Sequence, residues 1–246
     1  MLMSKITPSV GIFIECEQDV AYLEEATKNL GLNVHLSFYD RTLYDKYKHD
    51  CSDASAYITS VHLPKGLTVS DYSESGLVGE ARGLFNVDLF NVHPWSPDLS
   101  AIADVVKQEG YTLCLETFRK GQGSPFWLLE TFGEALREDH LGLCVDFSHL
   151  ELDLANYGFL KGLLPYMKMI HASNRLQDDQ HLPVFHQGCD TNAQGYMSRL
   201  LDVKDFPVRE VVLEYMPKYR DKYVKQFAWL NTIILQKRRR YESRKV

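Results

Sequence analysis

The chain has 246 residues, 45% of them apolar and 24% charged, with a formal net charge of −6. That length supports one large α/β domain or two small ones, and the composition is that of an ordinary soluble globular protein. The acidic balance argues against a dedicated nucleic-acid binder, whose field would be basic.

The opening MLMSKITPS lacks the apolar stretch of an export signal, and no apolar run approaches the ~18 residues of a membrane span. A cytoplasmic protein without membrane contact is therefore expected. The first β-rich run, SVGIFIEC, covers 9–16 and leads into AYLEEATKNLG, a helical pattern that stops on a glycine. Further strands are predicted over 33–40, 55–63 and 88–94. LSAIADVVKQEG then gives a second helix ending on glycine, before a fifth strand over 111–118. In SPFWLLETFGEALRED, serine followed by proline marks a helix start. Strands over 141–147, 166–173 and 209–216 complete the series, and a basic stretch, about 236–246, closes the chain. Its charges are read as a solvated helix end that complements the helix dipole. The five cysteines are widely spaced and odd in number, so no disulfide framework is expected.

Eight strands alternating with helices match a (β/α)8 barrel, or TIM barrel, which needs ~250 residues. Continuous apolar runs suit parallel strands covered on both faces. A doubly wound sheet would show a glycine-rich phosphate turn after the first strand, and IECEQD has no glycine. No linker or repeat stands out, so residues 1–246 are read as a single α/β domain.

Six of the predicted strands end on a metal-type ligand: His62 in SVHLP, His93 in NVHPW, Glu116 in CLETF, Asp146 in CVDFSH, His171 in MIHAS and Glu214 in VLEYM. One such residue is more often a core histidine or a helix cap. Six behaving alike is a different matter, because acids are depleted in strands and burying several uncompensated charges is severely unfavourable. In a parallel barrel these ends share one face, where a divalent cation would offset their charge. By strand alternation Cys114 and Cys144 point inward beneath Glu116 and Asp146, as small apolar fillers rather than ligands. His35, His49, His140 and His181 fall outside the ligand-bearing strand ends and are left out of the site.

In this order and at these strand ends the motifs resemble the xylose-isomerase-like barrel superfamily, over about residues 9 to 216. That group holds sugar isomerases and epimerases as well as endonuclease IV. The resemblance implies a metal site of Glu116, Asp146, His171 and Glu214, to which the endonuclease-type members add matches at His62 and His93. His149 and His186 match a third site there. That site also calls for an aspartate two residues before its last histidine, where this chain has Val184. One or two cations are therefore expected rather than three: Mn²⁺, Zn²⁺, Co²⁺ or Mg²⁺, with Zn²⁺ favoured if His62 and His93 bind.

Two reactions could use such a site. In an isomerase or epimerase, a sugar, sugar phosphate or polyol-derived ketone loses a proton beside a metal-held carbonyl, with Glu116 and Glu214 as catalytic base and acid. His149, His186 and Arg175 would then bind substrate, and Trp95 would wall the sugar ring. The alternative is a phosphodiesterase or AP endonuclease like endonuclease IV, and a third is a non-catalytic metal- or sugar-binding barrel. The missing acid at 184 and the acidic charge favour the isomerase and a small carbohydrate substrate over nucleic acid. A homo-oligomer is compatible with the sequence.

Overall fold

A computed structural model describes residues 6–95, 98–121, 123–150, 157–203 and 206–243, with side chains to 240. Eight parallel strands arise where the expected apolar runs lie; the first keeps its length but starts two residues earlier, and the other seven are shorter than their sequence windows. They are β1 (Thr7–Ile14), β2 (Val34–Phe38), β3 (Ile58–His62), β4 (Leu89–Val92), β5 (Thr112–Glu116), β6 (Leu141–Asp146) and β7 (Met167–His171), with β10 (Glu210–Leu213) the eighth. Every residue of β2, β4, β5, β6 and β10 is buried, as strands covered on both faces must be. Neighbours pair in chain order, and β1 pairs with β10 from Thr7–Glu210 to Val10–Leu213, which closes the barrel. The (β/α)8 architecture read from the sequence is thus the observed one.

Helices cover the outside: α1 (Glu17–Glu24), α2 (Arg41–Ser52), α3 (Leu77–Phe85), α4 (Leu99–Glu109), α5 (Pro125–Phe132), α6 (Tyr157–Leu163), α7 (Ala193–Leu200) and α8 (Tyr223–Ser243). Their ends follow local chemistry. Gly110 stops α4 in the left-handed region (φ 72°), and Ser124 caps α5 by accepting from the Trp127 amide. α1 begins earlier than its periodicity predicts because the Asp19 carboxylate accepts from the amides of Glu15 and Cys16 and so fixes the first turn. Among the described residues no helix is long and apolar enough to cross a membrane. The basic end of α8 is more docked than expected. Lys237 and Arg238 donate to the carbonyls of Val203 and Ile6, while residues 244–246 lie outside the described residues.

Two features set up the mouth of the barrel. Leu89, Cys114, Cys144, Met169 and Val212 form a separate buried cluster, and both cysteines are fully enclosed. They fill space as small hydrophobes, and burial pushes the Cys144 thiol well above its usual range, which opposes thiolate formation. The second feature is a short antiparallel hairpin after β7, β8 (Asn174–Leu176) and β9 (Asp179–Leu182), which the sequence reading did not anticipate. The Asn174 side chain anchors it by donating to the carbonyls of Pro183 and Val184.

The loop before α3 packs against that helix without room for a side chain. A Cβ on Gly79 would lie 1.7 Å from the Glu74 carbonyl oxygen, a backbone atom. Gly79→Ala should therefore destabilise by about 2 kcal/mol or more, although alanine is the better helix former. A denaturant midpoint equal to or above that of the parent would contradict this close approach.

Candidate metal centre

Strand geometry delivers the ligands. Glu116, Asp146, His171 and His62 are the last residues of β5, β6, β7 and β3, while His93 and Glu214 follow β4 and β10 directly. Glu116 stands at the centre. Its Oε2 lies 3.0 Å from His62 Nε2, 3.8 Å from His93 Nε2 and 3.9 Å from His171 Nδ1, whereas Oε1 faces His149 Nδ1 at 3.1 Å. The two oxygens of one carboxylate thus address two different imidazole groups. Glu214 Oε2 lies 3.0 Å from His171 Nδ1 and 3.2 Å from His181 Nδ1. Among the described residues, four overlapping trios offer ligand atoms within 4.8 Å of one another: His62–His93–Glu116, Glu116–Asp146–His171, Asp146–His149–His181 and His35–His171–Glu214.

Partners behind these groups fix their orientation. The Ser148 amide and hydroxyl both donate to Asp146 Oδ1, at 2.7 and 2.8 Å, so Oδ2 alone is turned to the site. Asn91 donates to Glu116 Oε2 at 2.7 Å. His62 Nδ1 lies 3.0 Å from the Leu63 carbonyl, which can only accept, so Nδ1 carries a proton and Nε2 is the nitrogen turned to Glu116. Such outer contacts are what aligns a metal ligand.

Burial alone would push all three carboxylates up, but the facing imidazoles outweigh it. Glu116 is held well below the usual carboxylate range by His149 and His62, Glu214 by His171 and His181, and Asp146 is lowered by His149 and His171. The same pairing works in reverse on the imidazoles. Burial would lower His149, yet Asp146 and Glu116 push it up to about 9; His171 is pushed well up and His181 up. His93 goes the other way, to about 3, because burial and the neighbouring His62 both oppose its charge.

A cation fits these residues better than protons do. Asp146 Oδ2, His149 Nδ1, His181 Nδ1 and both nitrogens of His171 are buried without a hydrogen-bond partner, although acids and imidazoles stand 3.0–3.9 Å apart. They converge in distance but are not aligned donor to acceptor, as expected of ligands aimed at shared points. Mixed nitrogen and oxygen donors suit Zn²⁺, Mn²⁺ or Co²⁺.

Trp95 lines the cavity above the site, which measures about 240 Å³ and is walled by Phe13, Phe38, Tyr39 and Phe118. Two expected substrate contacts do not reach it. His186 lines a different surface depression with Gln187 and Asn192, because the chain turns outward after β9. Arg175 is buried behind the mouth, where its guanidinium donates to the Leu150 carbonyl. The place expected for His186 is taken by His181, carried in by the hairpin. His181 has φ 55°, a left-handed conformation uncommon outside glycine. Two residues before it stands Asp179, the spacing that Val184 breaks ahead of His186. Asp179 is exposed and pairs with Lys218 at 3.5 Å. His35, also passed over, lies fully buried inside the barrel on β2. A histidine inside an apolar strand was the available signal for His35, and the D-x-H spacing for His181.

No family model matches the chain, and no curated protein does. Solved structures do share its fold. Endonuclease IV from Thermus thermophilus is similar at TM-score 0.56 and 14% identity, over 95% of this chain and 99% of that one. AP endonuclease, family 2, from Brucella melitensis is similar at 0.57 and 12%, over 92% and 98%. The probable 3-DHS dehydratase AsbF, involved in petrobactin synthesis in Bacillus anthracis, is similar at 0.57 and 13%, over 91% and 98%. The fold they share with this chain is the closed (β/α)8 barrel.

The proton inventory is testable. His149 holds its proton in the metal-free protein up to about pH 9, a contribution to stability that is complete below its unfolded value near 6.5 and is lost as pH rises through 9. A cation must displace such protons, so its apparent affinity should rise between pH 6.5 and 9. Calorimetric Zn²⁺ titrations at pH 7.5 in buffers of different ionisation enthalpy should show more than one proton released per chain. Heats independent of buffer would contradict the assignment.

Proposed function

We propose that the protein is a divalent-metal-dependent enzyme that hydrolyses a phosphoester, most readily a phosphodiester, at a centre where Glu116 would help to hold at least two cations. The observation that carries this reading is the division of labour at Glu116, with Oε2 toward His62 and His93 and Oε1 toward His149. A single cation leaves one of those imidazole groups facing a carboxylate with no ion between them. The added group of Asp146, His149 and His181 offers ligands for a further cation and weighs against the expectation of fewer. Two of the similar folds belong to endonucleases, which adds support from outside the chain.

Such cations, when bound, activate water and withdraw charge from phosphoryl oxygens. The chain's own residues would do the rest. Asp146 and Glu214 hold fixed negative charge against the ions, with Ser148 keeping Asp146 from rotating. Lys65 lines the cavity, 4.0 Å above the Tyr39 ring and 5.3 Å from that of Trp95, and supplies a cation for a phosphate oxygen. Tyr39, Trp95 and Phe118 offer flat faces to a ring attached to that phosphate. The net charge of −6 is a property of the whole chain and does not describe this rim.

A second reading, the sugar isomerase or epimerase, is favoured by one observation. Glu116 and Glu214 both line the 240 Å³ cavity, which suits one sugar ring, and could serve as base and acid on a chelated ketone. The two readings separate cleanly. Protein reconstituted with Zn²⁺ or Mn²⁺ should cleave bis(p-nitrophenyl) phosphate or nick abasic-site duplex DNA, and Glu116→Gln should lower the rate at least ~100-fold. Absence of cleavage together with solvent deuterium entering a ketose would transfer the assignment to the isomerase.

A further inference from the structure

His35 lies on the second strand, where the expected metal set has no member, and its ring is fully buried. One nitrogen is accounted for: Nδ1 lies 2.6 Å from Ser60 Oγ. Glu210 Oε1 accepts from the hydroxyls of Ser9 and Thr59, at 2.5 and 2.6 Å. A serine hydroxyl can accept from an imidazole N–H, and in that tautomer the proton lies on Nδ1 and the lone pair on Nε2. That Nε2 is buried and has no hydrogen-bond partner. Its ring centroid lies 5.1 Å from that of His171, and His35, His171 and Glu214 offer ligand atoms within 4.8 Å of one another.

We infer that His35 is a ligand of the cation held by His171 and Glu214, with Ser60 as its orienting partner. An orphaned lone pair in a dry interior is costly, and a metal-bound histidine characteristically gives its other N–H to a fixed acceptor, as Ser60 provides. Of its three ligands only Glu214 lines the cavity, whereas His62, His93 and Glu116 all do, so this cation would be the more enclosed one. Closed coordination is the mark of a retained ion that positions rather than reacts. This cation should be the last one that a chelator removes.

The inference rests on the existence of the metal centre, not on which reaction it performs. Cation stoichiometry and chelator-competition affinity for Zn²⁺, with the visible spectrum of the Co²⁺ form, should be compared in the parent, His35→Asn and His35→Gln. Asn places its amide near the Nδ1 position only, so the tightest site should weaken ~10–100-fold and its Co²⁺ bands should shift. Gln can reach toward the Nε2 position and should recover part of both. Unchanged affinity and spectrum in a folded His35→Asn protein would overturn the role of His35. Should neither variant fold, as judged by circular dichroism, Ser60→Ala keeps the ring but removes its acceptor. About 10-fold weaker binding is then expected, and unchanged binding would overturn the inference. A parent protein that binds no cation would instead refute the centre as a whole.

Discussion

Three carboxylates, Glu116, Asp146 and Glu214, are buried side by side at the mouth of the barrel, with 2% exposure or less. Removing each from water costs several kcal/mol, and their mutual repulsion adds to that. Everything distinctive about the mouth answers this constraint. Imidazoles from four strands and two loops face the acids, and hydroxyls and amides from behind hold them in place. The metal-free protein can balance the charge with protons on His149, His171 and His181. Those protons leave several buried lone pairs without alignment, a defect that divalent ions would remove.

The barrel makes such a cluster feasible because parallel strands bring residues distant in sequence to one rim. The apolar floor of Cys114, Cys144, Met169 and Val212 keeps the rim dry, which strengthens each charge interaction above it. Gly11 has a quieter part. A Cβ there would lie 3.1 Å from Glu214 Cγ, so the glycine leaves that carboxylate its space. Tyr223 of α8 donates to the Gly11 carbonyl and ties the outer helix layer to the same strand.

Much of this was legible in the sequence, for reasons that particular residues make plain. Glu116, Asp146 and His171 end apolar runs, and a charged residue closing a buried strand is an energetic anomaly visible without coordinates. His181 was not legible as a strand end because β9 is short, antiparallel and largely polar, with no hydrophobic period to betray it. His186 drew attention by its position in the long loop, yet backbone direction after β9 turns it outward. Arg175 looked like a substrate ligand from its spacing to His171. Its side chain instead serves the fold by donating to Leu150. His35 sits mid-strand, where histidine is ordinarily read as core, and only three-dimensional convergence on His171 distinguishes it. Loops are decided by tertiary packing, strand ends by composition.

The proposed phosphoester reading calls for at least two ions beside Glu116, whereas a chelated ketone needs only one. The most direct measurement is anomalous diffraction at the Zn²⁺ edge from crystals of the protein grown with Zn²⁺. The account expects at least two anomalous peaks flanking the Glu116 carboxylate, one beside His62 and His93 and one beside Asp146, His171 and Glu214. Well-ordered crystals with these side chains in place and no peak among them would contradict it.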